Sequence, residues 1–160
     1  MADNDVVITG IGLISSIGEG IDAHWNALSA PGFLPAVDTA SFPPYSFHPL
    51  PAIDWNQQIP KRSDQRQMEL WQRLGTYTAG LALDDSGVKA DKDLLSRTDM
   101  IVAAGGGERD EAVDEAIMAA SETRPDHQLL LNEKLTTELR PTLFLAQLSN
   151  LLAGNISIVH

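Results

Sequence analysis

The 160-residue sequence contains no cysteine. That excludes a disulfide framework, a thiolate metal site and a cysteine nucleophile within these residues, and it fits a reducing compartment. Positive charge is scarce: 11 Lys and Arg stand against 22 Asp and Glu, for a net charge of -11 and a pI near 4.5. So acidic a chain is a poor match for phosphate, which argues against nucleic acid as a partner. Long hydrophobic runs are missing as well. No segment reaches the ~18 uninterrupted apolar residues of a membrane span. The start, Met1-Ala2-Asp3-Asn4-Asp5, is acidic where a secretory signal needs a basic region. A cytoplasmic location is expected.

Histidines are few and scattered, at positions 24, 48, 127 and 160. With no i, i+4 pair and no acid at ligand spacing, they predict no metal site, and no cofactor is expected. The Ser15-Ser16 pair lacks the Gly-x-Ser-x-Gly elbow of a strand-to-helix nucleophile. Residue types and spacing alone therefore give no catalytic constellation.

What is present is enough apolar residue, 43% of the chain, for one sizeable core, since a domain of ~150 residues buries roughly 70% of its unfolded surface. Val6-Val7-Ile8-Thr9, ended by Gly10-Ile11-Gly12, reads as a strand buried on both faces. Ile21, Trp25 and Leu28 predict a short helix. Seven prolines then fall between Pro31 and Pro60 (31, 35, 43, 44, 49, 51 and 60). This predicts a long surface excursion pinned by Phe33, Phe42, Tyr45, Phe47 and Trp55.

A long helix is expected from about Asp64 to Asp85, with Leu70, Trp71, Leu74, Tyr77, Thr78 and Leu81 on one stripe. Asp64 or Ser63 would cap it and Gly87 would end it. Met100 to Ala104 reads as a second strand, running into Gly105 to Gly107. The acidic segment Glu108 to Glu115 then opens a helix whose dipole it complements. Leu129 to Leu139 reads as helix. Another is expected to start at Pro141 and close at Gly154, before a strand over Ile156-Ser157-Ile158-Val159. Strand and helix in this alternation indicate an α/β domain with a largely parallel sheet.

The glycines after the first strand invite a dinucleotide-binding reading. However, Gly10-x-Gly12-x-x-Ser15 lacks the third glycine, and Asp38 falls in the proline-rich stretch rather than at a strand end. A turn that packs helix against strand is the better account. Gly105, Gly106 and Gly107 either admit a ligand to the backbone or simply make a turn.

The run Val6-Val7-Ile8-Thr9-Gly10-Ile11-Gly12-Leu13-Ile14-Ser15-Ser16-Ile17-Gly18 closely resembles the opening of elongating β-ketoacyl-[acyl carrier protein] synthases, members of the thiolase-like superfamily. Further segments follow in the family's order. Gln65-Arg66-Gln67-Met68-Glu69 and Ala82-Leu83-Asp84-Asp85-Ser86-Gly87-Val88 resemble its long helix and exit, and Met100 to Gly107 its next strand. Pro141 to Asn150, with Ala153, Gly154 and Ile156-Ser157-Ile158, resembles the helix and strand leading to its nucleophile. The resemblance covers nearly the whole chain, residues 1–160, with 31–60 the least similar part.

The resemblance implies the N-terminal half of a thiolase-like αβαβα fold, in an acyltransferase that is a homodimer or is completed by its C-terminal half. The implied reaction is decarboxylative condensation of an acyl thioester with malonyl-carrier protein in fatty acid synthesis. The family's Cys and two His residues match positions beyond His160, so none of these residues takes a catalytic role and the 160 residues alone are expected to be inactive. Lys61, Arg62 and Arg66 match the basic site where the family docks acyl carrier protein. Gly106, Glu108, Leu143 and Phe144 match its acyl pocket. Gly106 stands where a bulkier apolar residue is usual, and Glu108 where a glycine is usual. The first change would lengthen the pocket for longer chains, while a buried, unpaired carboxylate would cost a few kcal/mol. These departures also leave open a non-catalytic ketosynthase-like subunit that binds carrier protein or completes a heterodimer.

Overall fold

The computed structural model describes residues 5–105, 107, 109–141, 143 and 147–160. Its first regular structure is a tight antiparallel ribbon, β1 (Ile14–Ser15) and β2 (Gly18–Glu19), with Ile14 opposite Glu19. It leads directly into α1 (Gly20–Ser29), as the periodicity predicts. The buried side chain of α1 is His24, at 7% exposure, whereas Trp25 and Leu28 are exposed.

The proline-rich stretch is irregular, as expected. An isolated bridge between Asp38 and Phe47 and a ring contact between Phe42 and Phe47 at 5.6 Å hold its middle. Its inner anchor is a short 3-10 turn, Trp55–Gln57, capped by the Asp54 side chain. Trp55 meets Tyr77 edge-on at 5.7 Å and carries the Arg73 guanidinium over its ring at 5.2 Å. Phe42 and Tyr45 do not pin the excursion to the core, because both are exposed.

The single long helix expected over 64–85 is two helices, α2 (Arg62–Gln67) and α3 (Leu70–Asp85). Met68 and Glu69 between them are extended. Met68 turns into the core at 6% exposure, and Glu69 opens α3 through a reciprocal capping box with Gln72, its own N–H donating to Gln72 Oε1 at 3.0 Å. Lys61, rather than Ser63 or Asp64, holds the N-cap position of α2. The end of α3 matches expectation: Gly87 follows with φ +73°, a conformation that suits glycine.

Every residue of α3 from Trp71 to Leu83 is partly or fully buried. Its deepest positions are Gln72, Thr76, Tyr77 and Gly80, while Leu70 is exposed, so the apolar stripe alone did not mark the covered face. One side receives the segment before β1, which approaches so closely that a Cβ on Gly10 would lie 2.4 Å from the Ala82 carbonyl oxygen. Another receives the last helix, α7 (Asn150–Val159). Ile59, Met68 and Tyr77 form the core cluster, with Ile14, Ile53, Trp55, Leu81 and Val159 packed against it.

A short α4 (Lys92–Leu95) is capped by Asp91. Next come α5 (Glu111–Ser121), capped by Asp110 at the predicted acidic opening, and α6 (His127–Thr137). These two pack as a hairpin over buried Val113 and Leu130. Arg124 clasps the turn, reaching Asp126 and Glu133 at 2.6 Å each.

Three strand expectations are not met. Residues 6–9 and 100–104 are irregular, and Val6, Ile8 and Ile101 are 98%, 82% and 98% exposed. A strand exists only when its backbone groups have a neighbouring strand to bond, and no described residues pair with these runs. The third, Ile156 to Val159, is the last part of α7 (Asn150–Val159), which continues through Gly154. A short apolar run fits either structure. Here helical spacing puts Leu152, Ile156 and Val159 towards α3, and Ile158, at 73% exposure, away from it. The regular structure of the described residues is thus mostly helical. The parallel sheet is not seen among the described residues, whose one sheet is the β1–β2 ribbon. No helix among them is long and apolar enough to cross a membrane.

Candidate functional site

α2 carries the three cations singled out in the sequence. Pro60 and the extended Lys61 set its start, Asp64 lies in its first turn and Arg66 in its last, each matching the helix dipole. The helix is fastened from below: Gln65 Nε2 donates to the Ile59 carbonyl at 2.6 Å and to Asn56 Oδ1 at 3.1 Å. Ile59 and Met68, buried on either side of α2, hold both ends.

Lys61, Arg62 and Arg66 remain outside, all exposed, with Arg62 and Arg66 one turn apart on the same face. The charge pattern of the remaining cations sets this triad apart. Lys89, Arg109, Arg124, Lys134 and Arg140 are in ion pairs. Arg73 stacks on Trp55, Lys92 donates to the His160 carbonyl and Arg97 to the Asp93 carbonyl. Among the Lys and Arg side chains of the described residues, only those of the α2 triad engage no protein partner.

Of the expected acyl-pocket residues, Gly106, Glu108 and Phe144 lie outside the described residues. Leu143 is partly buried, its N–H donating to the Arg140 carbonyl at 3.0 Å. Beside it in sequence, an open cleft of about 790 Å³ is lined by Glu69, Arg109, Asp110, Glu111, Asp114 and Arg140, with Leu70 as its apolar member. Arg109 forks onto Asp114, and Arg140 pairs with Glu69. Arg109 holds the Asp114 carboxyl below the usual carboxylate range. Two ion pairs cross this cleft and, among the described residues, the carboxylates of Asp110 and Glu111 are left without a cation, so it suits polar groups rather than an alkyl chain. Sequence reasoning missed it, because Glu69 and Arg140 are 71 positions apart and nothing local links them.

The histidines are each held by a backbone carbonyl where the structure shows their bonds: His24 by Gly20, His48 by Ala36 and His160 by Thr76. Among the described residues no group of three or more His, Asp or Glu side chains could hold a metal.

Residues 3–160 match the family described as β-ketoacyl synthase, N-terminal domain. The chain belongs to the β-ketoacyl synthase family. Relatives include 3-oxoacyl-[acyl-carrier-protein] synthase 2 of Vibrio cholerae serotype O1, 28% identical over 164 aligned positions, and the protein of the same name from Vibrio harveyi, 26% identical. Both alignments cover 100% of this chain and 36% of the relative, so the chain spans about a third of the length of the curated relatives it matches.

Proposed function

We propose that the chain is the N-terminal part of a 3-oxoacyl-[acyl carrier protein] synthase, an acyltransferase of fatty acid synthesis. It joins an acyl thioester to malonyl-carrier protein with loss of carbon dioxide. The observation that carries the reading beyond family membership is the unpaired triad Lys61, Arg62 and Arg66 on a chain of net charge -11. A local basic cluster on an acidic protein orients an acidic partner against the net field, as carrier-protein docking requires. Leu143, with Gly106, Glu108 and Phe144, contributes to the acyl pocket. The nucleophilic Cys and the two His residues follow His160, so the 160 residues bind carrier protein without condensing. The working protein is a cytoplasmic homodimer or a complex with the complementing C-terminal half.

The test is calorimetric titration of the full-length protein with acyl carrier protein, beside a Lys61→Glu, Arg62→Glu, Arg66→Glu variant. Reversal should weaken binding at least about 10-fold, with the largest effect at low salt. Unchanged affinity would overturn the docking assignment. The charged cleft at Glu69, Arg109, Asp114 and Arg140 favours a second reading, a non-catalytic ketosynthase-like subunit. Carrier binding without formation of 3-oxoacyl product by the full-length protein would support that reading over the first.

A further inference from the structure

Two side chains that the proposed function leaves unused stand in a reactive arrangement. Ser15 Oγ lies 2.7 Å from His24 Nε2, and His24 Nδ1 lies 2.7 Å from the Gly20 carbonyl oxygen. A carbonyl oxygen only accepts, so Nδ1 carries a proton and donates to it. In the neutral ring the Nε2 lone pair then faces Ser15, whose hydroxyl is the donor of that bond. The Ile17 N–H donates to the other side of Ser15 Oγ at 3.1 Å. His24 is buried at 7% exposure and fixed in the first turns of α1, while Ser15 is half-buried in β1. A hydroxyl, a base within hydrogen-bond reach and a group that orients the base make up an activated serine.

We propose that Ser15 is a nucleophile activated by His24, and that it accepts an acyl group from an activated acyl ester. Ser15 Oγ attacks the ester carbonyl carbon, forming a C–O bond, and the bond from that carbon to the leaving oxygen breaks. The hydroxyl proton passes to His24 Nε2 and from there to the leaving oxygen. The products are a Ser15 ester and a free alcohol, with no change of oxidation state. This chemistry is independent of condensation and of carrier-protein docking. If the Ser15–His24 bond serves only to fasten the ribbon to α1, Ser15 will show no special reactivity.

The probe is p-nitrophenyl acetate, with p-nitrophenolate release followed by absorbance and the acetylated position found by peptide mass spectrometry. Acetylation is expected at Ser15, about 100-fold faster than at the adjacent Ser16, which serves as an internal control needing no mutation. His24→Gln, verified as folded by circular dichroism, should slow labelling of Ser15 about 100-fold, and Ser15→Ala should abolish it. Equal labelling of Ser15 and Ser16 in the unmodified protein would overturn the proposal, as would a rate unchanged in folded His24→Gln.

Discussion

A Cβ on Gly12 would stand 1.8 Å from the carbonyl oxygen of Thr78, on the backbone of α3. The segment before β1 therefore lies directly against a helix whose backbone cannot yield. This explains the glycine pair at 10 and 12 as a packing requirement rather than a phosphate cradle. Gly12→Ala should cost about 3 kcal/mol, by forcing the segment off the helix. Gly105→Ala, with nothing within 4 Å of the added atom, should stay within about 0.5 kcal/mol. Urea midpoints followed by tryptophan fluorescence will show whether the two separate.

Tyr77 is fully buried, and its hydroxyl faces both carboxylate oxygens of Glu19, at 3.0 and 3.1 Å. Burial, and then the Glu19 carboxylate, push the phenol above its ordinary range, so it stays a neutral donor. Tyr77→Phe should lose about 1 kcal/mol, the net worth of an ordinary internal hydrogen bond to a partly exposed acceptor. A stability equal to or above that of the parent would show that Glu19 is equally well served by water.

His160 ties the end of α7 to α3, with Nε2 donating to the Thr76 carbonyl at 3.0 Å. Burial holds its imidazole below the usual value of 6.5. The Thr76 carbonyl and Asp84 oppose the shift, while Lys89 and Lys92 add to it. The folded state thus prefers the neutral ring. This contribution is complete above pH 6.5 and is lost as pH falls below 6.5 through the folded-state value, with a slope of at most about 1.4 kcal/mol per unit. Urea midpoints at pH 7.5 and 5.5 should differ in that direction, and His160→Gln should flatten the difference. A midpoint that rises towards pH 5.5 would contradict the assignment.

The α2 triad and the Arg124 clasp predict opposite mutant phenotypes. Arg66→Ala should weaken carrier-protein binding while shifting stability by no more than about 0.5 kcal/mol. Arg124→Ala should leave binding intact and raise hydrogen exchange in the α5–α6 hairpin, whose turn it holds through Asp126 and Glu133. Exchange of the two phenotypes would mean that the charge pattern has been misread.

Val6, Ile8 and Ile101 expose apolar surface that a folded chain ordinarily covers. The 160-residue chain is expected to self-associate with rising concentration in sedimentation velocity, and Ile101→Asp should shift it towards monomer. A single monomer boundary at every concentration would argue that these residues need no cover.

The sequence by itself determined the family, through the ordered segments from Val6 to Ile158. It also determined the local elements whose signals lie within a few residues: α1, the acidic opening of α5, α6, the Gly87 stop and the basic cluster on α2. Helix caps and charge clusters are written locally, so a window of residues suffices to read them. Tertiary contacts decided the rest. Met68 broke the long helix because the core took its side chain. Gln72 and Thr76 were buried because α3 is covered nearly all round. Ile156 to Val159 became helix because packing on α3 gave that run a face to bury. The Ser15–His24 pair and the Glu69–Arg140 cleft join residues 9 and 71 positions apart, a proximity that only chain folding creates.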